Sequence, residues 1–116
     1  MLESGTMGVP GDMTVNEAGG RQSGVPYFLR GLPPLAVFRV ARVLRDGALS
    51  HEPDPFPEDL GERNWHKIPA GDHLDHLLVH IFKELVGDTS EDHAGHIATR
   101  ALMFLEMRLR SRGEEP

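Results

Sequence analysis

The chain contains no cysteine. Disulfides, zinc–thiolate sites and thiol nucleophiles are therefore excluded, which fits a reducing compartment. One tryptophan and one tyrosine among 116 residues leave a core that must be mostly aliphatic. No apolar run approaches the roughly 20 residues of a membrane span. The N-terminus lacks the basic start and apolar stretch of a secretory signal. Together these absences point to the cytoplasm and away from a membrane. Positive charge is also scarce: 12 Lys and Arg stand against 18 Asp and Glu, for a net charge of −6. That balance argues against direct nucleic-acid binding, which draws on basic patches. The Walker loop, G-x-G-x-x-G and HExxH are missing, so P-loop, dinucleotide and zincin sites are not expected. Without G-x-S-x-G a serine hydrolase is not expected either.

The length fits one small domain. Residues 1–26 hold six of the thirteen glycines and no apolar periodicity. They read as a flexible leader, followed by a single all-α domain over residues 27–113. The first helix opens at Pro33-Pro34, because a proline in the first turn loses no helical hydrogen bond. Leu35, Phe38 and Ala41 recur at helical spacing, and the helix should end near Leu49 or Ser50. Arg39, Arg42 and Arg45 form a stripe beside them. From His51 to Gly71 four prolines and two glycines predict a long loop with one helical turn near Pro57–Leu60. A loop this long in a small domain is often functional.

The second helix is predicted over Asp72–Val86, capped by Gly71-Asp72. Leu74, Leu77, Leu78, Ile81, Phe82, Leu85 and Val86 form an unbroken amphipathic stripe, and Gly87 stops it. Thr89-Ser90-Glu91-Asp92 resembles a capping box opening a third helix. Ala94, Ile97, Ala98, Ala101, Leu102, Leu105 and Leu109 are its expected buried stripe, and Gly113 its end. The expected fold is a small all-α bundle of three main helices with a long ordered loop. Three amphipathic helices make a thin core, so a homo-oligomer, most simply a homodimer, is expected.

The chemistry concentrates in Leu74–His96. A short connection forces the second and third helices into an antiparallel hairpin. His80 and Glu84 then lie one turn apart, with His93 and His96 in the first turns of the next helix, all near the same loop. On a helical wheel Glu84 and His93 border the apolar faces, while His80 and His96 fall on the polar sides. These stripes meet only if the helices are rotated toward a shared cleft or covered by a partner chain. Asp92 is a further carboxylate here, although the helix dipole alone explains an acid at that position. Metal ligands are therefore sought among His80, Glu84, Asp92, His93 and His96. Such a mixed donor set suits Mn²⁺ or Zn²⁺, with Mg²⁺ admitted when substrate phosphates complete its shell. His73 and His76 read as solvent-facing. Asn64, Trp65 and Lys67 offer a stacking ring, an amide and a cation for a nucleotide. Arg100 shares the His93/His96 stripe and suits a phosphate. The opposing reading makes Trp65 a buried loop anchor and the arginines a solvated face.

The ordered set Pro33-Pro34-x-Ala36, Val43-Leu44-x-x-Gly47-Ala48, Asn64-Trp65, Asp75-x₄-His80, Gly87 and His93-x-x-His96 resembles a known family. It is the dATP/dGTP diphosphohydrolase N-terminal type of phage and bacterial domain, likened to the all-α MazG-like nucleotide pyrophosphohydrolases. The likeness covers about residues 33–106. It implies metal-dependent hydrolysis of purine (deoxy)nucleoside triphosphates to monophosphate and pyrophosphate, with a nucleotide as partner and a divalent metal as cofactor. Catalytic roles then fall on Glu84, His80 and Asp75. MazG-like enzymes hold Mg²⁺ with E-x-x-E and E-x-x-D carboxylates, a pattern from which this chain departs. Arg45 stands where the family often has Glu, Leu49-Ser50-His51 where it has K-Y-G, and Arg100 where it has Asn. These departures define two alternatives: a non-catalytic nucleotide- or metal-binding module, and a purely structural or interaction protein.

Overall fold

A computed structural model describes residues 13–59 and 61–116. The chain divides into two compact units, Met1–Pro33 and Pro34–Pro116. In the first, strand β1 (Met13–Val15) pairs antiparallel with β2 (Arg21–Ser23), with Met13 opposite Ser23. Asn16 shapes the turn: its Oδ1 accepts from the backbone N–H of Ala18 and of Gly20. Gly19 takes φ +83°, a conformation that a side chain disfavours. Part of the stretch expected to be featureless therefore holds a local hairpin. Residues 1–12 of the expected leader lie outside the described residues. A single 3-10 turn follows at Leu29–Gly31.

The second unit is helical. Helix α1 spans Pro34–His51, α2 Ala70–Leu85 and α3 His93–Arg112. With the small hairpin, the described chain is mostly α, as expected. Helices α2 and α3 pack most extensively, and α1 lies against α3. Between α1 and α2 the one helical turn falls at Asn64–Lys67. Pro57–Asp59 is not helical, and Leu60 lies outside the described residues. Two boundaries move for local reasons. Helix α2 starts from Pro69 without a side-chain cap. In α3 the cap is Asp92 alone, whose carboxylate accepts from the Gly95 N–H. Gly87, at φ +77°, and Gly113, at φ +62°, end α2 and α3 as expected.

The burial pattern inverts the expected one. Among the described residues Val40 is the buried hydrophobic side chain, while His73, His93 and Thr99 are the buried polar ones. Leu77 and Ile81 are half-buried. Leu74, Leu78, Phe82, Leu85 and Val86, which the pattern assigned to the core, are exposed, Val86 by 80%. On α3, Ala94, Ala101, Leu102 and Leu105 are likewise exposed, and Ile97 and Ala98 half-buried. The helices are turned so that their polar stripes meet and much of the apolar surface faces outward. Periodicity identifies an apolar face but not what covers it. Among the described residues no helix is long and apolar enough to cross a membrane.

Candidate functional site

The tight α2–α3 connection brings the histidines of both helices together. His80 Nδ1 lies 2.9 Å from His93 Nδ1. The His80 and His96 rings stack at 4.7 Å, inclined by 13°. His93 has a fully buried side chain, and its Nε2 lies 3.2 Å from Asp88 Oδ2. Two bonds from Ser90, one backbone and one hydroxyl, hold the Asp88 carboxyl below its ordinary range and keep it an acceptor. Against that carboxylate His93 donates from Nε2–H, and in the neutral ring its Nδ1 lone pair then faces His80. In that state His80 donates to it from Nδ1–H. Glu91 Oε1 lies 3.9 Å from His80 Nδ1. The donor atoms of His80, Glu91 and His93 all fall within 4.8 Å of one another. These three are the residues of this hairpin that could hold a metal.

This set differs from the one sought in the sequence. His80 and His93 come together and His96 stacks beside them. Asp92 is engaged elsewhere: it caps α3 and accepts from Arg39 Nη1 at 3.0 Å. Both bonds, the Gly95 N–H foremost, keep its carboxyl below the ordinary range. Gly95 is required beside that cap, because a Cβ there would collide with the Asp92 carboxylate. Glu84 and Asp75 are exposed. Neither side chain makes a hydrogen bond or ion pair among the described residues, and neither joins the histidines. Instead the returning loop supplies Asp88 and Glu91. An acid at either position is also explained by the dipole of α3; their proximity to the histidines depends on how the loop folds back over α2.

A second cluster lies under Trp65. His73 is fully buried, contrary to its expected exposure. It is held at both ring nitrogens. Nε2–H donates to the Trp65 carbonyl at 2.8 Å, and Nδ1 accepts from Arg100 Nη1 at 2.8 Å. Burial lowers the His73 pKa, as it does that of Arg100. Arg100 has no carboxylate within ion-pair distance among the described residues. The loop entering this region is tied by one carboxylate. Glu52 accepts the Asn64 N–H and pairs with Arg63 Nε at 2.9 Å, both side chains being mostly buried. Arg63 also donates to the carbonyls of Asp54 and Pro55. Among its described residues the loop between α1 and α2 is thus tied by a largely buried ion pair that spacing does not reveal.

A broad open cleft of about 1190 Å³ runs between α1, this loop and the α2–α3 pair. Five arginines (Arg39, Arg42, Arg45, Arg63 and Arg100) and three carboxylates (Asp46, Glu52 and Asp92) line it. On a chain of net charge −6 it is a local concentration of positive charge. Asn64 and Trp65 also line it, and Trp65 is stacked on His66 at 3.8 Å. Lys67 is exposed on the same turn and is not among the lining residues. His96 lines the cleft and stacks on His80, so it joins the two clusters.

The described helical unit thus sets an arginine-lined cleft beside a histidine–carboxylate cluster. The family model described as dATP/dGTP diphosphohydrolase, N-terminal, matches residues 16–116. The chain belongs to that family. Comparison with curated proteins and with solved structures finds no match.

Proposed function

We propose that this protein hydrolyses purine deoxynucleoside triphosphates, dATP and dGTP foremost, to the monophosphate and pyrophosphate with a divalent cation. The carrying observation is the meeting, at His96, of the arginine-lined cleft with the His80/His93/Glu91 group. Family membership supports the nucleotide class. In this reading the triphosphate lies in the cleft. Arg100, its charge unmatched by a carboxylate, is aimed at phosphate oxygens. Trp65 offers a ring to the base, and the Asn64 side chain an amide to its edge. His96 accepts a proton from the attacking water at a ring nitrogen. When bound, Mg²⁺ or Mn²⁺, with Zn²⁺ as the alternative, neutralises phosphate charge and lowers the pKa of its water.

The exposed apolar surface of α2 supports a second proposal about the same molecule, a homo-oligomer in which another copy covers Phe82, Leu85 and Val86. A second functional reading, nucleotide binding without turnover, is favoured by the engagement of Asp92 as a cap and by the exposure of Glu84. Release of pyrophosphate from dATP or dGTP by purified protein separates the two. Absence of product from either nucleotide with both Mg²⁺ and Mn²⁺ would overturn the hydrolase reading. Calorimetric binding without product would then establish the binding module.

A further inference from the structure

We infer that His80, His93 and Glu91 form a resident site for a borderline transition cation of the zinc type, loaded without nucleotide, with Asp88 orienting His93. The site lies at the same hairpin end as the proposed reaction, but it does not depend on turnover. Three features carry it. The first is the donor set. Two imidazole nitrogens and one carboxylate oxygen lie within 4.8 Å of one another. Nitrogen-rich sets favour zinc and its neighbours, whereas Mg²⁺ takes oxygen ligands in a near-ideal octahedron.

The second is geometry. Ligands at about 2.0–2.2 Å from an ion stand about 2.8–3.6 Å apart, for cis-octahedral to tetrahedral angles. The two Nδ1 atoms are already 2.9 Å apart. Glu91 Oε1 is 3.9 Å from His80 Nδ1, and this side chain is 45% exposed and free to swing inward. His80 needs only to carry its proton on Nε2 instead of Nδ1.

The third is the buried support. The His93 side chain is completely buried, and the Asp88 carboxylate at its Nε2 directs the opposite nitrogen into the cluster. A carboxylate on the far nitrogen is the usual partner of a metal-bound histidine, fixing its tautomer and raising its basicity. Asp88 is itself held by two bonds from Ser90. Three protein ligands leave at least one position open, the arrangement of reactive rather than structural zinc sites.

The test is calorimetry on the chelator-treated full chain, titrated with Zn²⁺ and separately with Mg²⁺, in the absence of nucleotide. The expected result is one saturable Zn²⁺ site per chain and Mg²⁺ binding weaker by at least about 100-fold. Glu91→Gln removes a ligand at an exposed position, so it keeps the fold. It should weaken Zn²⁺ binding by about 10-fold or more, and Asp88→Asn by about 10–100-fold. Circular dichroism checks that both variants are folded. No saturable Zn²⁺ site, or Zn²⁺ binding unchanged in both variants, overturns the inference. Zinc binding without pyrophosphate release supports this site while contradicting the hydrolase. Turnover with Mg²⁺ and no zinc site does the reverse.

Discussion

Arg100 donates to Nδ1 of the fully buried His73 at 2.8 Å, and His73 passes the constraint to the Trp65 carbonyl at 2.8 Å. One neutral ring thus fixes both a guanidinium in the cleft and the backbone that carries the tryptophan. Arg100→Ala should weaken binding of a non-hydrolysable dATP analogue by about 10–100-fold, the scale of one charge-assisted contact. Calorimetry measures it. Unchanged affinity would place the phosphates elsewhere.

The same ring sets an acid limit on stability. Burial holds His73 below its ordinary pKa of 6.5. Burial, with Arg110 beside it, lowers His66 as well. Between the lowered folded value and 6.5 the unfolded chain binds more protons than the folded one, so stability falls as pH falls. The contribution is fully kept above about pH 7 and starts to fade as pH drops through 6.5. Thermal melts from pH 8 to pH 5 should show this decline. His73→Gln should make it shallower, because its amide does not titrate, and leave the share of His66 and His80, which burial also lowers; a profile as steep as that of the wild type would contradict the assignment.

Asp92 is assigned as a helix cap rather than a metal ligand. Asp92→Ala should cost about 1 kcal/mol through the lost cap, with little added by the half-exposed pair to Arg39. Asp92→Asn caps nearly as well and should be close to neutral in urea denaturation. It should also leave Zn²⁺ affinity unchanged. A large loss of metal in Asp92→Asn would return this residue to the ligand set.

The outward apolar face of α2 should be covered by a second copy. Light scattering coupled to gel filtration should give a mass above that of one chain. Phe82→Glu or Leu85→Glu should reduce it to the monomer, since each would bury an unpaired charge. A wild-type monomer at micromolar concentration contradicts the proposal.

Much of the helical framework was legible because it rests on local rules. The proline start of α1, the glycine stop of α2 and the glycine end of α3 all follow from backbone sterics. The His80/His93 encounter was legible as a hairpin consequence, conditional on helix rotation. What periodicity does not contain is the rotation itself. It turned Leu78 and Phe82 outward and His73 inward. Glu91 and Asp88 were hidden for a related reason: their role comes from loop closure, while their sequence position is equally well explained by the α3 dipole. The Glu52–Arg63 tie joins residues eleven apart through an irregular loop, where no spacing rule applies.

The central claim is that the cleft and the hairpin end form one nucleotide-hydrolysing site joined at His96. The most direct measurement is the initial rate of pyrophosphate release from dATP and dGTP by the wild type, His96→Gln and Glu84→Ala in parallel, with Mg²⁺ and with Mn²⁺. The account predicts turnover by the wild type, a loss of about 100-fold or more in His96→Gln, and a near-wild-type rate in the exposed Glu84→Ala. No pyrophosphate from the wild type, or a Glu84→Ala loss as deep as that of His96→Gln, would contradict it.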